Sequence, residues 1–302
     1  MIALRRFIPQ HWRRWPARSR PESLFGYVTS PLLEESFPEA CRRLGVTPLK
    51  APRRHWRLAR SCGAPVCLPN GTQAWLKVSG LVPGASRHLF DRELEAGKIV
   101  GVPKPDVLDS ARWSDDGVEW RGLLFTLAPS PTIRLDGWPI GLRTRLSDSW
   151  LDELNSALDA LGRNETTICR FPPDTIAARI AARFGPDAPR HADDWQTCHG
   201  DLSYGNLTAP ELLLLDWEHW GLAPRGFDAA RFITSLCHNV RLARRIEQAT
   251  AHDLATPSGR VAVLLACALT LERIDTGHAS TKRATPLKAL AERALRGNLG
   301  KH

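Results

Sequence analysis

Apolar and polar positions change their period partway along the chain. Up to about residue 127 the apolar runs are short and bounded by turn formers, which predicts strands. Beyond that point they recur at three- and four-residue intervals, which predicts helices. In the first part, Pro31–Leu44 reads as a short amphipathic helix interrupted near Pro38. Three strand-like runs follow, His55–Ala59, Pro65–Leu68 and Gln73–Val78. The last two are joined by Pro69-Asn70-Gly71-Thr72, and Asn-Gly is a strong short hairpin signal. A helix is expected over Ser86–Val100, with Leu89, Phe90, Leu94 and Ile99 along one face. Val107–Leu108 and Trp120–Leu127 read as two more strands, split by the turn Ser114-Asp115-Asp116-Gly117.

The run Ala128-Pro129-Ser130-Pro131 breaks regular structure and is the expected boundary between two lobes. After it come helices at Leu151–Leu161, Asp174–Phe184, Asp228–Glu247 and Ser258–Thr276, with short apolar runs around His199 and at Leu212–Leu215. The expectation is an α+β chain in three parts. Residues 1–50 form a basic extension plus a short helix, residues 51–128 an N-terminal lobe built on an antiparallel sheet, and residues 129–302 a mostly helical C-terminal lobe.

Composition narrows the class. The 302 residues are 43% hydrophobic and 24% charged, an ordinary globular mix, and no apolar stretch has the length of a membrane span. The basic N-terminus lacks the apolar core of a secretory signal, so the chain is read as cytoplasmic. Seven cysteines without a C-x-x-C pair read as reduced, mostly buried small residues. The net charge of +9 is concentrated at the two ends, in runs read as solvated faces or frayed tails. Those runs carry few interleaved aromatics, which argues against nucleic acid as a partner. The oligomeric state is not legible.

The chemistry concentrates in Cys198-His199-Gly200-Asp201-Leu202-Ser203-Tyr204-Gly205-Asn206-Leu207, followed ten residues after Asn206 by Asp216 at the end of a four-leucine run. A His-Gly-Asp-x4-Asn pattern arises by chance in a chain of this composition with a frequency on the order of one in a thousand, which makes it a strong signal. Asn206 and Asp216 supply hard oxygen donors suited to a magnesium ion that also binds phosphate. Asp201 is then left to orient and deprotonate a hydroxyl nucleophile, with His199 bracing the loop. No Walker A pattern occurs.

This stretch resembles the catalytic loop of the aminoglycoside phosphotransferase and choline-kinase-like family, distant relatives of protein kinases. Asp216-Trp217-Glu218 looks like that family's metal-binding segment, and Gly221–Asp228 is similar to its continuation, ending in a structural Asp. The resemblance covers roughly residues 55–276 and implies a two-lobed protein-kinase-like fold. It implies Asp201 as catalytic base, Asn206 and Asp216 as magnesium ligands, and His199 and Asp228 as structural support. It further implies transfer of the γ-phosphoryl group of ATP or GTP to a small hydroxylated acceptor: an amino sugar, sugar, amino alcohol or related metabolite. Lys77, alone among apolar residues in its strand, becomes the phosphate-contacting lysine. Its helix partner is Glu93 or Glu95, with Glu93 preferred because it follows Arg92. Backbone amides near Ser61 and Gly63, in a loop over Arg60–Ala64, are expected to cover the phosphates, although the chain has no G-x-G-x-x-G. Backbone groups near Ala128 are expected to meet the adenine.

Several neighbours carry blander readings. Trp195, Trp217 and Trp220 read as packing. Glu218, Glu272 and Asp275 are candidates to greet a cationic acceptor, although the basic tail argues against a strongly cationic one. His219 and His238 are unassigned. The competing class is a nucleotide- or metabolite-binding regulatory pseudokinase without turnover. A third is a nucleic-acid- or membrane-associated protein using the basic termini.

Overall fold

A computed structural model of the chain describes residues 23–24, 27–28, 32–53, 60–83, 85, 88–133, 135–136, 141–142 and 146–300. Two compact units emerge, Met1–Leu94 with Pro105–Ala128, and Glu95–Lys104 with Pro129–His302.

The first unit is a wholly antiparallel sheet. Two-residue strands β1 (Ser23–Leu24) and β2 (Tyr27–Val28) meet its edge, followed by β3 (Thr47–Pro48), β4 (Ser61–Cys67), β5 (Gln73–Leu81), β6 (Val107–Asp115) and β7 (Val118–Thr126). Strands β3 to β7 run in the order β3-β4-β5-β7-β6, and β2 joins the far end of β5 through Tyr27 and Leu81. The two hairpins form where turn residues predicted them. Gly71 (φ +85°) closes β4–β5, and Asp116 with Gly117, both at positive φ, closes β6–β7. Strand β6 is far longer than the expected Val107–Leu108, because its outward-facing polar residues hide the alternation. The expected strand His55–Ala59 lies outside the described residues.

One face of this sheet is covered by α1 (Leu32–Glu35) and α2 (Phe37–Leu44), which bury Leu33, Phe37 and Ala40 against Leu76, Val78 and Trp120. Residues 32–48 are therefore part of this unit rather than a separate extension. The helix break falls at Ser36, and Pro38 sits in the first turn of α2, where its missing N–H costs nothing. Helix α3 (His88–Glu95) is shorter than expected and runs on as one 3₁₀ turn over Ala96–Lys98.

The second unit is helical apart from the small ladders β8 (Leu135–Asp136) with β9 (Gly141–Leu142), and β10 (Trp195–Cys198) with β11 (Gly221–Pro224). Its helices are α4 (Asp148–Gly162), α5 (Pro173–Phe184), α6 (Phe227–Ser235), α7 (Val240–Ala249), α8 (Ala251–Leu254), α9 (Pro257–Asp275) and α10 (Ala284–Leu295). Helix α9 is capped by Thr256 and is apolar all round in its middle, where Ala262 through Ala268 have no exposed surface. It contacts α5, α6, α8 and α10.

Two expectations change in this unit. The single helix expected over Asp228–Glu247 is two. After Ser235, whose hydroxyl bonds back to the Phe232 carbonyl, the chain turns, and the Asn239 side chain caps α7 by accepting from the Leu242 amide. The basic C-terminal run is not frayed. It forms α10, which buries Leu287, Leu290, Ala291 and Ala294 and keeps Lys288 in solvent. Arg293 of α10 pairs bidentately with the buried Glu247, which also accepts the Gly300 amide at 2.9 Å.

All seven cysteines are free, and Cys169 alone is exposed. Among the described residues no helix is long and apolar enough to cross a membrane.

The packing around α9 gives a direct test. Leu264→Ala removes a side chain without exposed surface from the middle of α9 and should cost about 3 kcal/mol, read as a lower midpoint in chemical denaturation. A change under about 0.5 kcal/mol would contradict the central placement of that helix.

Candidate active site

In the sheet unit, strand register decides which side chains meet. Lys77 of β5 pairs in register with Leu123 of β7, and Ser79, two residues on, pairs with Arg121. Lys77 and Arg121 therefore point to the same face as diagonal neighbours. Glu93 of α3 lies between them, with Oε1 accepting from Lys77 Nζ at 2.8 Å and Oε2 from Arg121 Nη2 at 3.3 Å. Glu93 and Arg121 are buried, and Arg121 also stacks over the Phe90 ring at 4.4 Å. Glu95 is exposed. A carboxylate gripped from both sides fixes the lysine in place.

The phosphate loop expected over Arg60–Ala64 is a correction. Ser61 to Ala64 lie inside strand β4, and the Gly63 amide already donates to the Arg53 carbonyl at 3.1 Å. A Cβ on Gly63 would meet the Trp75 indole at 2.7 Å, so here glycine serves close packing. Ala128 ends the sheet unit, immediately after β7.

In the helical unit, the chain leaves β10 at Cys198 and enters the His199-Gly200-Asp201 turn. The Asp228 carboxylate, in the first turn of α6, holds that turn. Its Oδ2 accepts the His199 amide at 2.6 Å and its Oδ1 the Gly200 amide at 2.9 Å. Burial pushes the Asp228 carboxyl above its usual range, opposed by His199 and by those two amides. Gly200 has φ +82°, and a Cβ there would run into the His219 carbonyl oxygen. The fully buried His199 ring receives the Asp201 amide at Nδ1 (3.4 Å) and bonds the Leu215 carbonyl through Nε2 at 2.8 Å. With Nδ1 accepting, it is Nε2 that donates to the Leu215 carbonyl. Trp217 packs edge-on against the ring at 4.7 Å.

The second half of the loop lies beside the first. Leu207 bridges Leu214, and the Leu215 amide donates to the Asn206 carbonyl at 2.9 Å, which sets Asn206 next to the segment carrying Asp216. Asn206 Nδ2 donates to the Asp201 carbonyl at 2.9 Å, leaving its side-chain oxygen as the remaining acceptor. Asp216 adopts the left-handed region at φ 68°, a conformation that is costly for a residue other than glycine and is typical of functional turns. An amide oxygen and a carboxylate presented together suit a hard divalent cation.

Asp201 Oδ1 is 2.6 Å from Arg231 Nη2. Burial alone would push the Asp201 carboxyl up. The Arg231 guanidinium, with a contribution from His219, outweighs that and holds it below the usual carboxylate value. Arg231 was not singled out in the sequence, although it stands three residues after Asp228 and so on the same helix face. Arg121 was missed as well, since only strand register brings it to Lys77.

Three other expectations are resolved. Trp217 and Trp220 are buried, with Trp217 Nε1 donating to the Leu214 carbonyl at 2.8 Å, so both pack. Glu218 is buried with His219 Nε2 at 3.5 Å. Glu272 and Asp275 are paired with Arg179 and Arg183 of α5, so these acids of α9 are committed to a helix contact rather than offered to a cation.

Comparison with known proteins agrees with this arrangement. Residues 128–261, which contain the whole loop and α6, match the model of the phosphotransferase enzyme family. No curated protein sequence matches the chain. Among solved structures, a thermostable mutant of the aminoglycoside phosphotransferase APH(4)-Ia in ternary complex with AMP-PNP and hygromycin B superposes with a TM-score of 0.56 at 14% identity, covering 89% of this chain and 99% of that one. Another thermostable mutant of that enzyme, bound to ADP and hygromycin B, gives 0.54 at 14% identity over 88% and 98%. The APH(4)-Ia structure itself gives 0.53 at 14% identity over 90% and 100%. At this identity the match establishes the fold that the chain shares with them, an antiparallel-sheet unit followed by a helical one.

The Asp228 clamp can be tested alone. Asp228→Asn turns one acceptor into an NH₂ that faces a backbone N–H, leaving a buried amide without its partner. The expected loss is about 2 kcal/mol of stability in chemical denaturation, and an unchanged midpoint would remove Asp228 from its bracing role.

Proposed function

We propose that the chain is a small-molecule kinase that moves the γ-phosphoryl group of ATP or GTP, with magnesium, onto a hydroxyl of a small acceptor such as an amino sugar, sugar or amino alcohol. The observation that carries this reading is Asp201, paired with Arg231 and fixed in a loop clamped by Asp228, with Asn206 and the segment carrying Asp216 alongside. The family match over residues 128–261 supports phosphoryl transfer as the reaction class. The nucleotide and hydroxylated antibiotic bound by APH(4)-Ia in its ternary complexes support a nucleotide donor and an alcohol acceptor.

In this reading Lys77, held by Glu93, binds donor phosphate oxygens. Backbone groups at Ala128 hold the base of the nucleotide. Asn206 and Asp216 hold magnesium, which when bound offsets phosphate charge and orients the transferred group. Asp201 aligns the acceptor hydroxyl and takes its proton late in a loose transition state, a task that suits a carboxylate of low basicity. His199 and Asp228 keep the loop in shape. Ser61 and Gly63 have no part in this assignment beyond their place in β4.

Magnesium-dependent consumption of ATP and of GTP across a panel of hydroxylated acceptors tests the reading. Wild type should consume nucleotide with one acceptor class. Asp201→Asn should lower kcat by roughly 100- to 10,000-fold; normal turnover would show that Asp201 is not the base. Asp216→Ala should weaken magnesium-nucleotide binding by at least about tenfold in a calorimetric titration, and unchanged affinity would remove it from the metal site. A thermal shift with magnesium-nucleotide but no consumption with any acceptor would favour a binding module.

A further inference from the structure

Arg231 of α6 has its side chain 12% exposed and places Nη2 2.6 Å from Asp201 Oδ1. Its other terminal nitrogen, Nη1, is 3.4 Å from the hydroxyl of Thr270 on α9. Thr270 is itself fixed, because it is buried and donates to the Ala266 carbonyl at 2.9 Å. The guanidinium is therefore tethered at one end to α9, whose middle is fully buried, and at the other to a single oxygen of the proposed base. Helix α6 carries both controls on the loop, with Asp228 gripping its backbone and Arg231, three residues later, gripping its side chain.

We infer that Arg231 is a positioning residue for phosphoryl transfer: by engaging Oδ1 of Asp201 it fixes the carboxylate rotamer and reserves Oδ2 for the acceptor hydroxyl. The inference rests on Asp201 being the base. A carboxylate on a loop has two torsions to settle, and one charge-assisted hydrogen bond from a rigid donor settles both. Without it the carboxylate can turn toward other donors near the loop, and a hydroxyl aligned on it loses its line of attack. Nothing in this arrangement involves the donor nucleotide, so the effect belongs to the chemical step.

The test compares Arg231→Met, which keeps length and removes the donor, with Arg231→Lys, which keeps a donor and the charge. Turnover of magnesium-ATP is measured with whichever panel acceptor wild type phosphorylates fastest, or with water as acceptor if none is used. Arg231→Met should lose on the order of 100-fold in kcat, the usual effect of a misplaced catalytic group, with KM for ATP within about twofold of wild type. Arg231→Lys should recover at least about tenfold of that loss while melting at the same temperature as Arg231→Met, since a purely structural defect would not divide the two variants this way. Arg231→Met turning over within about twofold of wild type, or a loss confined to KM for ATP, overturns the inference. Equal kcat in the two variants also overturns it. If wild type is no faster than Asp201→Asn, the assignment of the base fails and this inference fails with it. If Asp201→Asn is inactive and Arg231→Met is not, only the role of Arg231 falls.

Discussion

The helical unit depends on one buried carboxylate. Asp228 accepts two consecutive backbone amides from the turn that carries Asp201, and it does so from the first turn of a helix packed on α9. A turn with Gly200 at positive φ does not hold itself; its amides point inward and need acceptors, or they are lost to desolvation. Once they are satisfied, the rest follows in order. The His199 ring receives the Asp201 amide and reaches across to the Leu215 carbonyl, so the two strands of the loop share one histidine. Asn206 then ties its side chain to the backbone of Asp201.

Charge is allotted with similar economy in both units. In the sheet unit one buried glutamate is shared between a lysine and an arginine. In the helical unit one aspartate is met by one arginine, while Arg179 and Arg183 occupy the acids on α9. Buried ion pairs add little net stability when well-packed apolar groups could replace them, but removing one partner is expensive. Their effect is therefore to fix geometry, and it falls on the two side chains given the most demanding tasks, Lys77 and Asp201.

What could be read in advance was whatever is encoded locally. Asn70-Gly71 and Asp116-Gly117 marked the hairpins because only a few residue types accept positive φ. The His-Gly-Asp-x4-Asn spacing marked the loop because all its members lie within one short segment. The apolar run of α9 was plain because nothing in it faces water. The failures share a different cause. Arg121 and Arg231 reach their partners through strand register and helix docking, which a linear pattern does not contain. The break between α6 and α7 has neither Gly nor Pro; it is made by Asn239 capping a new helix. Helix α10 was hidden by its own basic residues, of which Lys288 faces solvent and Arg293 reaches the buried Glu247, while its leucines dock on the core. The expected phosphate loop failed because a glycine needed for packing against Trp75 looked like one needed for a turn.

The burial of α9 also decides how this unit comes apart. The middle of that helix, packed among α5, α6, α8 and α10, has no exposed surface. Its amides can exchange with solvent only when several neighbours leave together, so they should be among the slowest in the protein and report the free energy of opening the whole unit. Arg231 is joined to that helix through Thr270. The most local detail of the proposed chemistry, the rotation of one carboxylate, is thereby coupled to the most cooperative part of the chain.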